Sequence, residues 1–279
     1  SIILFFLSAS SAKSFGISPT RYLVTIDPGK MQKISLVVQN DEAIKKKFKV
    51  SVFGIKQEAN GNPVLGVGLD DAEKWIKPET EIFELAQGKQ EKIIFNINAP
   101  VNYAPGSHFL GLAVDTLSDS IVQTKVEGRL TAILILQVAG VVTEALNLKS
   151  VTEKNIYWNK NFQFNLEIKN NGNMELPLQG QIEIRDWRGR QILSEEVSVG
   201  NQLLPGASRF LTVKTKASTS MKWPGLYSAN FAIKYGKVGL FAKSAVKFWY
   251  VDAKFLAGSG LVVLIAVLLW WRRNKKNIQ

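Results

Sequence analysis

Between its two ends the chain alternates apolar and polar residues with a period of two, and turns rich in glycine, proline and asparagine interrupt the pattern. Tyr22, Val24 and Ile26 alternate up to Asp27-Pro28-Gly29-Lys30, and residues 162–168 alternate up to Asn170. This pattern is typical of half-buried strands, each with one face on a core. The sequence therefore predicts an all-β protein of the sandwich type.

One segment departs from the alternation. Residues 130–136 are apolar on both faces apart from Thr131, which is typical of a strand buried on both sides. Its outer face is covered either by residues 56–72, an expected small hairpin beside the sandwich, or by an interface with the next domain. Both alternatives keep the strand in the core.

The spacing of the turns predicts two units of similar layout. Gly88 and Gly106 each open a strand and lie 18 residues apart, and Gly206 and Gly225 repeat this order 19 residues apart. We therefore expect two tandem immunoglobulin-like β-sandwiches, over residues 13–142 and 143–251.

The C-terminal region predicts a membrane anchor. Phe255–Trp271 contains only apolar or small residues and would rise about 25 Å as a helix, close to the thickness of a bilayer core. Trp270 and Trp271 lie where an aromatic belt belongs. The expected transmembrane helix covers residues 252–271, and its anchoring side chains are Phe255, Leu261, Leu264, Leu268, Trp270 and Trp271. The alternative is a buried helix that ends a soluble domain.

The residues beyond this run set the expected orientation. The segment 272–279 is basic, and the cations Arg272, Arg273, Lys275 and Lys276 are expected on the cytoplasmic side by the positive-inside rule. Residues 1–12 are expected to be a truncated signal peptide, with an apolar patch and small residues before Lys13. The prediction is a single-pass protein of the bacterial cell membrane, with its N-terminal side on the cell surface.

Composition narrows the class of partner. The chain has no cysteine and no Asn-x-Ser/Thr sequence, which favours a bacterial surface protein over a disulfide-rich eukaryotic one. The formal net charge of +12 favours polyanions. Outside a bacterium these are cell-wall polymers and lipid headgroups, so no nucleic-acid partner is expected.

The sequence offers little for catalysis. It has one histidine and no cysteine, which excludes Cys/His dyads, and no phosphate loop or calcium-loop pattern is present. The neighbouring carboxylates Asp70-Asp71 and Glu195-Glu196 would face opposite sides of a strand. We expect no enzyme, no catalytic residue, no metal and no cofactor.

Three side chains are candidate ligand contacts: Trp75, Tyr103 and His108. Exposed aromatic rings can stack on sugar rings, as could Trp223 in the second unit. The plainer alternative is that these rings fill the core or plug turns, and that His108 lies at a strand rim.

Several segments carry a family resemblance. They are Ile26-Asp27-Pro28-Gly29, residues 36–40, 75–78, 83–88, 93–100, 104–111 and 128–140. Over residues 13–142 and in its membrane layout the chain resembles the WxL-interacting proteins. The resemblance implies a first domain that associates with peptidoglycan and a second that engages other surface proteins.

The leading hypothesis is thus a non-enzymatic membrane-anchored surface scaffold, which associates with peptidoglycan and holds other surface proteins. The alternative is a β-strand-pairing adaptor or pilus-chaperone-like assembly protein without wall affinity, because an open edge beside residues 130–138 could accept a strand. A carbohydrate-acting enzyme is the third hypothesis.

Overall fold

The computed structural model describes residues 14–118, 125–200, 202–216, 221, 223–252, 255, 258 and 263–271. These residues are almost entirely β-strands and turns, as the alternation predicts. The tertiary contacts divide the chain into two units. The first contains residues up to Lys56 and Pro63–Val142, and the second contains Gln57–Asn62 and the chain from Thr143 onward.

The first unit is a sandwich of two sheets. Its strands are β1 (Phe15–Ser18), β2 (Arg21–Ile26), β3 (Met31–Asn40), β4 (Lys46–Gln57), β5 (Pro63–Gly66), β6 (Ile76–Pro78), β7 (Ile82–Leu85), β8 (Gln90–Asn98), β9 (Gly106–Ser118) and β10 (Lys125–Val138). One sheet has the order β1-β3-β8-β6, and the other has the order β2-β10-β9-β4-β5 with β7 also on β4. A short 3-10 helix, Asp71–Trp75, precedes β6.

The second unit repeats this plan. Its strands are β11 (Leu146–Thr152), β12 (Ile156–Tyr157), β13 (Asn161–Asn170), β14 (Leu176–Asp186), β15 (Gln191–Val197), β16 (Gln202–Leu203), β17 (Ser208–Lys216), β18 (Gly225–Tyr235) and β19 (Leu240–Tyr250). One sheet has the order β11-β13-β17, and the other β12-β19-β18-β14-β15 with β16 on β14.

The two units share one topology. In each, the first strand pairs with one sheet, and the next strand crosses to the other sheet and pairs in parallel with the last strand, β2 with β10 and β12 with β19. The turn glycines Gly88 and Gly206 precede the equivalent strands β8 and β17 with φ of 68° and 71°. Glycine is favoured there because this φ is costly for other residues. The strand orders of the two units are thus similar, apart from β6, which has no counterpart in the described part of the second unit.

A cross-sheet tie recurs at the same place in both units. The buried Asn40 ends β3, and its Nδ2 donates to the carbonyl oxygens of Ile44 and Leu85, both at 2.9 Å. The buried Asn170 ends β13, and its Nδ2 donates to the carbonyl oxygens of Met174 at 2.8 Å and Leu203 at 3.0 Å. Leu85 and Leu203 belong to the opposite sheets, so each amide fastens one sheet to the other.

Inward-facing aliphatic and aromatic side chains fill each sandwich. In the first unit Leu36, Phe95 and Leu134 are completely buried, and in the second unit Phe164 and Ile184 are. The strand over residues 130–136 is only in part the doubly buried one that we expected. Ile135 is buried, but Ile133 on the same outer face is 42% exposed, and Leu130 is half-buried.

The C-terminal residues that the structure describes are helical at 255, 258 and 263–271. Within the described part of the chain, no helix is long and apolar enough to cross a membrane. The transmembrane helix expected over residues 252–271 therefore has no support from the structure. The expected signal peptide (residues 1–12) and basic tail (272–279) lie outside the described residues.

Candidate functional site

Part of the outer edge of β10, the last strand of the first unit, has no neighbouring strand among the described residues. On one side β10 pairs with β9 along its length, from Lys125 to Val138. On the other side β2 pairs only with Ile133–Val138. Among the described residues, no strand pairs the outer edge of residues 125–132. We call residues 126–132 the open edge.

Two backbone hydrogen bonds show which residues point to this side. The amide of Ile133 donates to the carbonyl oxygen of Thr20 at 2.9 Å, and the amide of Ala139 donates to that of Ile26, also at 2.9 Å. Backbone groups of a strand alternate between its two sides, and the register is continuous from Gly128 to Val138. The backbone groups of Arg129 and Thr131 therefore point out of the open edge.

The side chain of Arg129 lies over the sheet and does not block the addition of a strand at this edge. Its Nε and Nη2 donate to the two carboxylate oxygens of Asp115 at 2.6 and 2.8 Å, and the guanidinium carbon lies 5.5 Å from the ring centre of Phe53. The Asp115 hydrogen bonds raise the pKa of Arg129. A charged side chain at a sheet edge normally discourages the addition of a strand. Here the charge is drawn back over the sheet and away from the edge.

Apolar groups lie beside the open edge. Leu130 packs against the core from a half-buried position, and Val126 is 47% exposed. A strand added at this edge would place alternate side chains next to Leu130, where they would extend the core. An added strand would therefore need to alternate apolar and polar residues.

The three predicted ligand contacts lie together in a second place. The ring of Trp75 is edge-on to that of Tyr103, with centroids 4.1 Å apart, and the ring of His108 lies 5.4 Å from Trp75 and 5.3 Å from Tyr103. The Nδ1 of His108 lies 2.9 Å from a carboxylate oxygen of Asp70. Asp70 also caps the 3-10 helix, accepting from the amide of Ala72.

The burial of this cluster changes its interpretation. Trp75, which the sequence analysis treats as an exposed aromatic, is only 8% exposed and belongs to the core. Tyr103 is half-buried, and burial, with the charges of Asp70 and Asp71, raises its pKa. Trp75 is buried because the 3-10 helix turns its ring inward. It therefore offers no open ring face on which a sugar could stack. The proposed ligand contacts at Tyr103 and His108 stay predictions.

The other predicted site residues lie in the C-terminal segment. Phe255, Leu264, Leu268, Trp270 and Trp271 are all about half exposed or more. Leu261 and the cations Arg272, Arg273, Lys275 and Lys276 lie outside the described residues. In the second unit, Trp223 is 60% exposed.

Two features are not evident from sequence patterns. Asn40 and Asn170 each directly follow a run of strand-forming residues, but the periodicity does not show that their amides link the two sheets. The apolar run 130–138 indicates this strand, but the part of its edge that is open, residues 126–132, could not be read from the sequence, because strand order depends on pairings between distant segments.

No protein-family model matches the chain, and no curated protein matches it. Among solved structures, a chaperone–tip adhesin complex of CFA/I fimbriae is similar, with 12% identity, 86% coverage of this chain, 100% of that chain and a TM-score of 0.47. The class 5 fimbriae chaperone CfaA has the same identity and coverages and a TM-score of 0.46. The CsuC–CsuE complex from Acinetobacter baumannii has 14% identity, coverages of 72% and 90%, and a TM-score of 0.39. Structural similarity at these TM-scores does not indicate a shared function.

Proposed function

We propose that the protein is a strand-pairing adaptor, which captures a β-strand of another surface protein on the open edge of β10. The observation that supports the proposal is the pairing of β10: β9 covers one side throughout, whereas β2 pairs on the other side only from Ile133 onward, and no other strand of the described residues pairs there. Main-chain hydrogen bonds to Arg129 and Thr131 would supply affinity, and side-chain contacts at Leu130 would supply selectivity.

The architecture that we propose is two immunoglobulin-like sandwiches in tandem. Support comes from the shared strand order of the two units, in which the first strand switches sheets and the last three long strands of each unit, β8–β10 and β17–β19, occupy equivalent places. Immunoglobulin domains of the constant type have strands A, B, E and D in one sheet and C, F and G in the other, and β1, β3, β8 and β6 of the first unit form a comparable four-stranded sheet.

The peptidoglycan-binding scaffold has less support. Its predicted contact Trp75 is buried, and no feature of the described residues favours wall polymer over a protein strand. The resemblance to WxL-interacting proteins, the non-enzymatic role and the location at the cell surface stay predictions.

The proposal is tested with a synthetic peptide of alternating valine and threonine, carrying a fluorophore, titrated against the full chain. Thr131→Pro removes the edge amide, and proline is tolerated at an edge position whose amide faces solvent. We expect this variant to lose peptide binding. The matched control Thr131→Val keeps the amide and should bind as the unaltered chain does. Equal binding by Thr131→Pro, with an unchanged unfolding transition, would refute strand pairing at this edge.

A further inference from the structure

The sandwich of the second unit exposes four tryptophan side chains, apart from Trp270 and Trp271 in the C-terminal segment. Trp158, Trp187, Trp223 and Trp249 are between 51% and 62% exposed. Tryptophan is large and apolar and is usually well buried in soluble domains. Four exposed indoles on one sandwich therefore indicate a surface that binds a partner molecule or a membrane.

The strand register places these four side chains at one end of the sandwich. Gly225 pairs with Tyr250, so the start of β18 lies beside the end of β19, next to Trp223 and Trp249. Asp186 pairs with Tyr227, which brings the β14–β15 turn and Trp187 to this end. Ile156 pairs with Trp249, which adds Trp158. We call this set of four the tryptophan end.

The indoles are held by the fold. The hydroxyl of Tyr227 donates to the carbonyl oxygen of Trp223 at 2.6 Å, and the ring of Trp187 lies beside Gly225. The guanidinium of Arg188 lies 4.4 Å from the Trp187 ring centre. Between Trp187 and Trp223 is a shallow cleft of about 230 Å³. The tryptophan end is thus a prearranged surface.

Cations surround the tryptophans. Lys154, Arg188, Arg190 and Lys216 are exposed at this end, where they outnumber the exposed Glu153 and the half-buried Asp252. Asp186 is buried and forms an ion pair with Arg190 at 2.9 Å, so these two charges largely offset each other and the positive charge comes from the other three cations. Tryptophans ringed by lysine and arginine match the boundary between acyl chains and anionic headgroups of a bilayer.

The apolar C-terminal run leaves from the same end. Its first residue, Phe255, lies with its ring 6.3 Å from that of Trp223, a few residues after β19 ends at Tyr250. This continuity favours a lipid surface over a protein or a sugar as the occupant. We propose that the tryptophan end of the second unit docks on an anionic lipid bilayer, with its indoles at headgroup level.

The test uses spin labels, which can be placed singly because the chain has no cysteine. Asn159→Cys, in the turn after Trp158, reports on the tryptophan end. Val238 lies in the turn between β18 and β19 and is 82% exposed, so Val238→Cys reports on the opposite end. The labelled full chain is bound to phosphatidylcholine vesicles containing phosphatidylglycerol. Collision of the label with oxygen and with a water-soluble nickel chelate measures its depth.

We expect the nickel chelate to reach position 159 several-fold less than position 238, and oxygen to reach it more. Adding Trp187→Ser and Trp223→Ser should return position 159 to the values at 238. If both labels report water, the proposal is wrong, even where the C-terminal run tethers the chain to the vesicle. Absence of vesicle association would also overturn it. Peptide binding at the open edge is measured without lipid, so the two proposals fail independently.

Discussion

Replacing Asn40 with alanine should destabilise the first unit strongly. The Asn40 amide donates to two carbonyl oxygens at 2.9 Å, and its Oδ1 accepts from the amide of Glu42 at 3.0 Å. All three bonds are lost in Asn40→Ala, and the position has no exposure through which water could replace them. At about 1 kcal/mol for each bond, the expected loss is roughly 3 kcal/mol of unfolding free energy.

The repeat supplies a second site for the same prediction. Asn170 makes the equivalent bonds, to Met174 and Leu203 and from the amide of Gly172 at 2.9 Å. Asn170→Ala should therefore cost the second unit a similar free energy. Replacement of either residue by aspartate should cost at least as much, because aspartate has no amide donor and adds a buried charge.

Calorimetry and urea titration of the full chain measure these losses. A change of this size in a unit of this length lowers Tm by about 10 °C. The control is Gln181→Ala, because the Gln181 amide bonds only to Ser194 at an exposed position, and its effect should stay within about 0.5 kcal/mol. A loss below about 1 kcal/mol for both asparagine variants would refute the idea that these ties join the sheets.

Four further results are expected. Arg129→Ala leaves the 3%-exposed Asp115 without its partner and should cost roughly 2 kcal/mol in urea unfolding; no change would show that the pair contributes nothing. Trp75→Ala should cost about 4 kcal/mol as a buried aromatic truncation, whereas a surface ring would cost little. Burial, reinforced by Asp252, raises the pKa of Tyr250 from 10.0 to about 12. The protonated Tyr250 therefore contributes fully to the free energy of unfolding below pH 10, and this contribution is lost as the pH rises through about 12. Tyr250→Phe should flatten that loss of stability, and an unchanged pH profile would contradict the assignment. Sedimentation of the full chain with cell-wall sacculi should vanish as salt increases, whereas saturable binding that survives salt would favour the scaffold.

Much of the fold can be predicted because strand alternation and turn chemistry are local. The glycines at 88 and 206 require a left-handed backbone, and this requirement is visible in the sequence as a turn before an alternating run. The position of each long strand follows from the same signals. The C-terminal helix over 252–271 rests on composition alone and has no support in the described residues.

The sequence indicates β10 as a candidate site through its apolar run, but the extent of the open edge could not be predicted because it depends on non-local pairing. That β2 covers β10 only from Ile133 onward depends on where a strand more than a hundred residues earlier crosses between sheets. Likewise, the inward rotation of Trp75 follows from a 3-10 helix whose cap, Asp70, is shared with His108. Sequence periodicity alone does not determine either arrangement.

The most direct measurement of the central claim is residue-resolved hydrogen exchange along β10 in the full chain. With an open edge, the amides of Arg129 and Thr131 should exchange much faster than those of Leu130 and Ala132, which face β9. Adding the valine–threonine peptide should slow Arg129 and Thr131 and leave Leu130 and Ala132 unchanged. Equal protection of all four amides in the free protein, or no change on adding the peptide, would contradict strand capture at this edge.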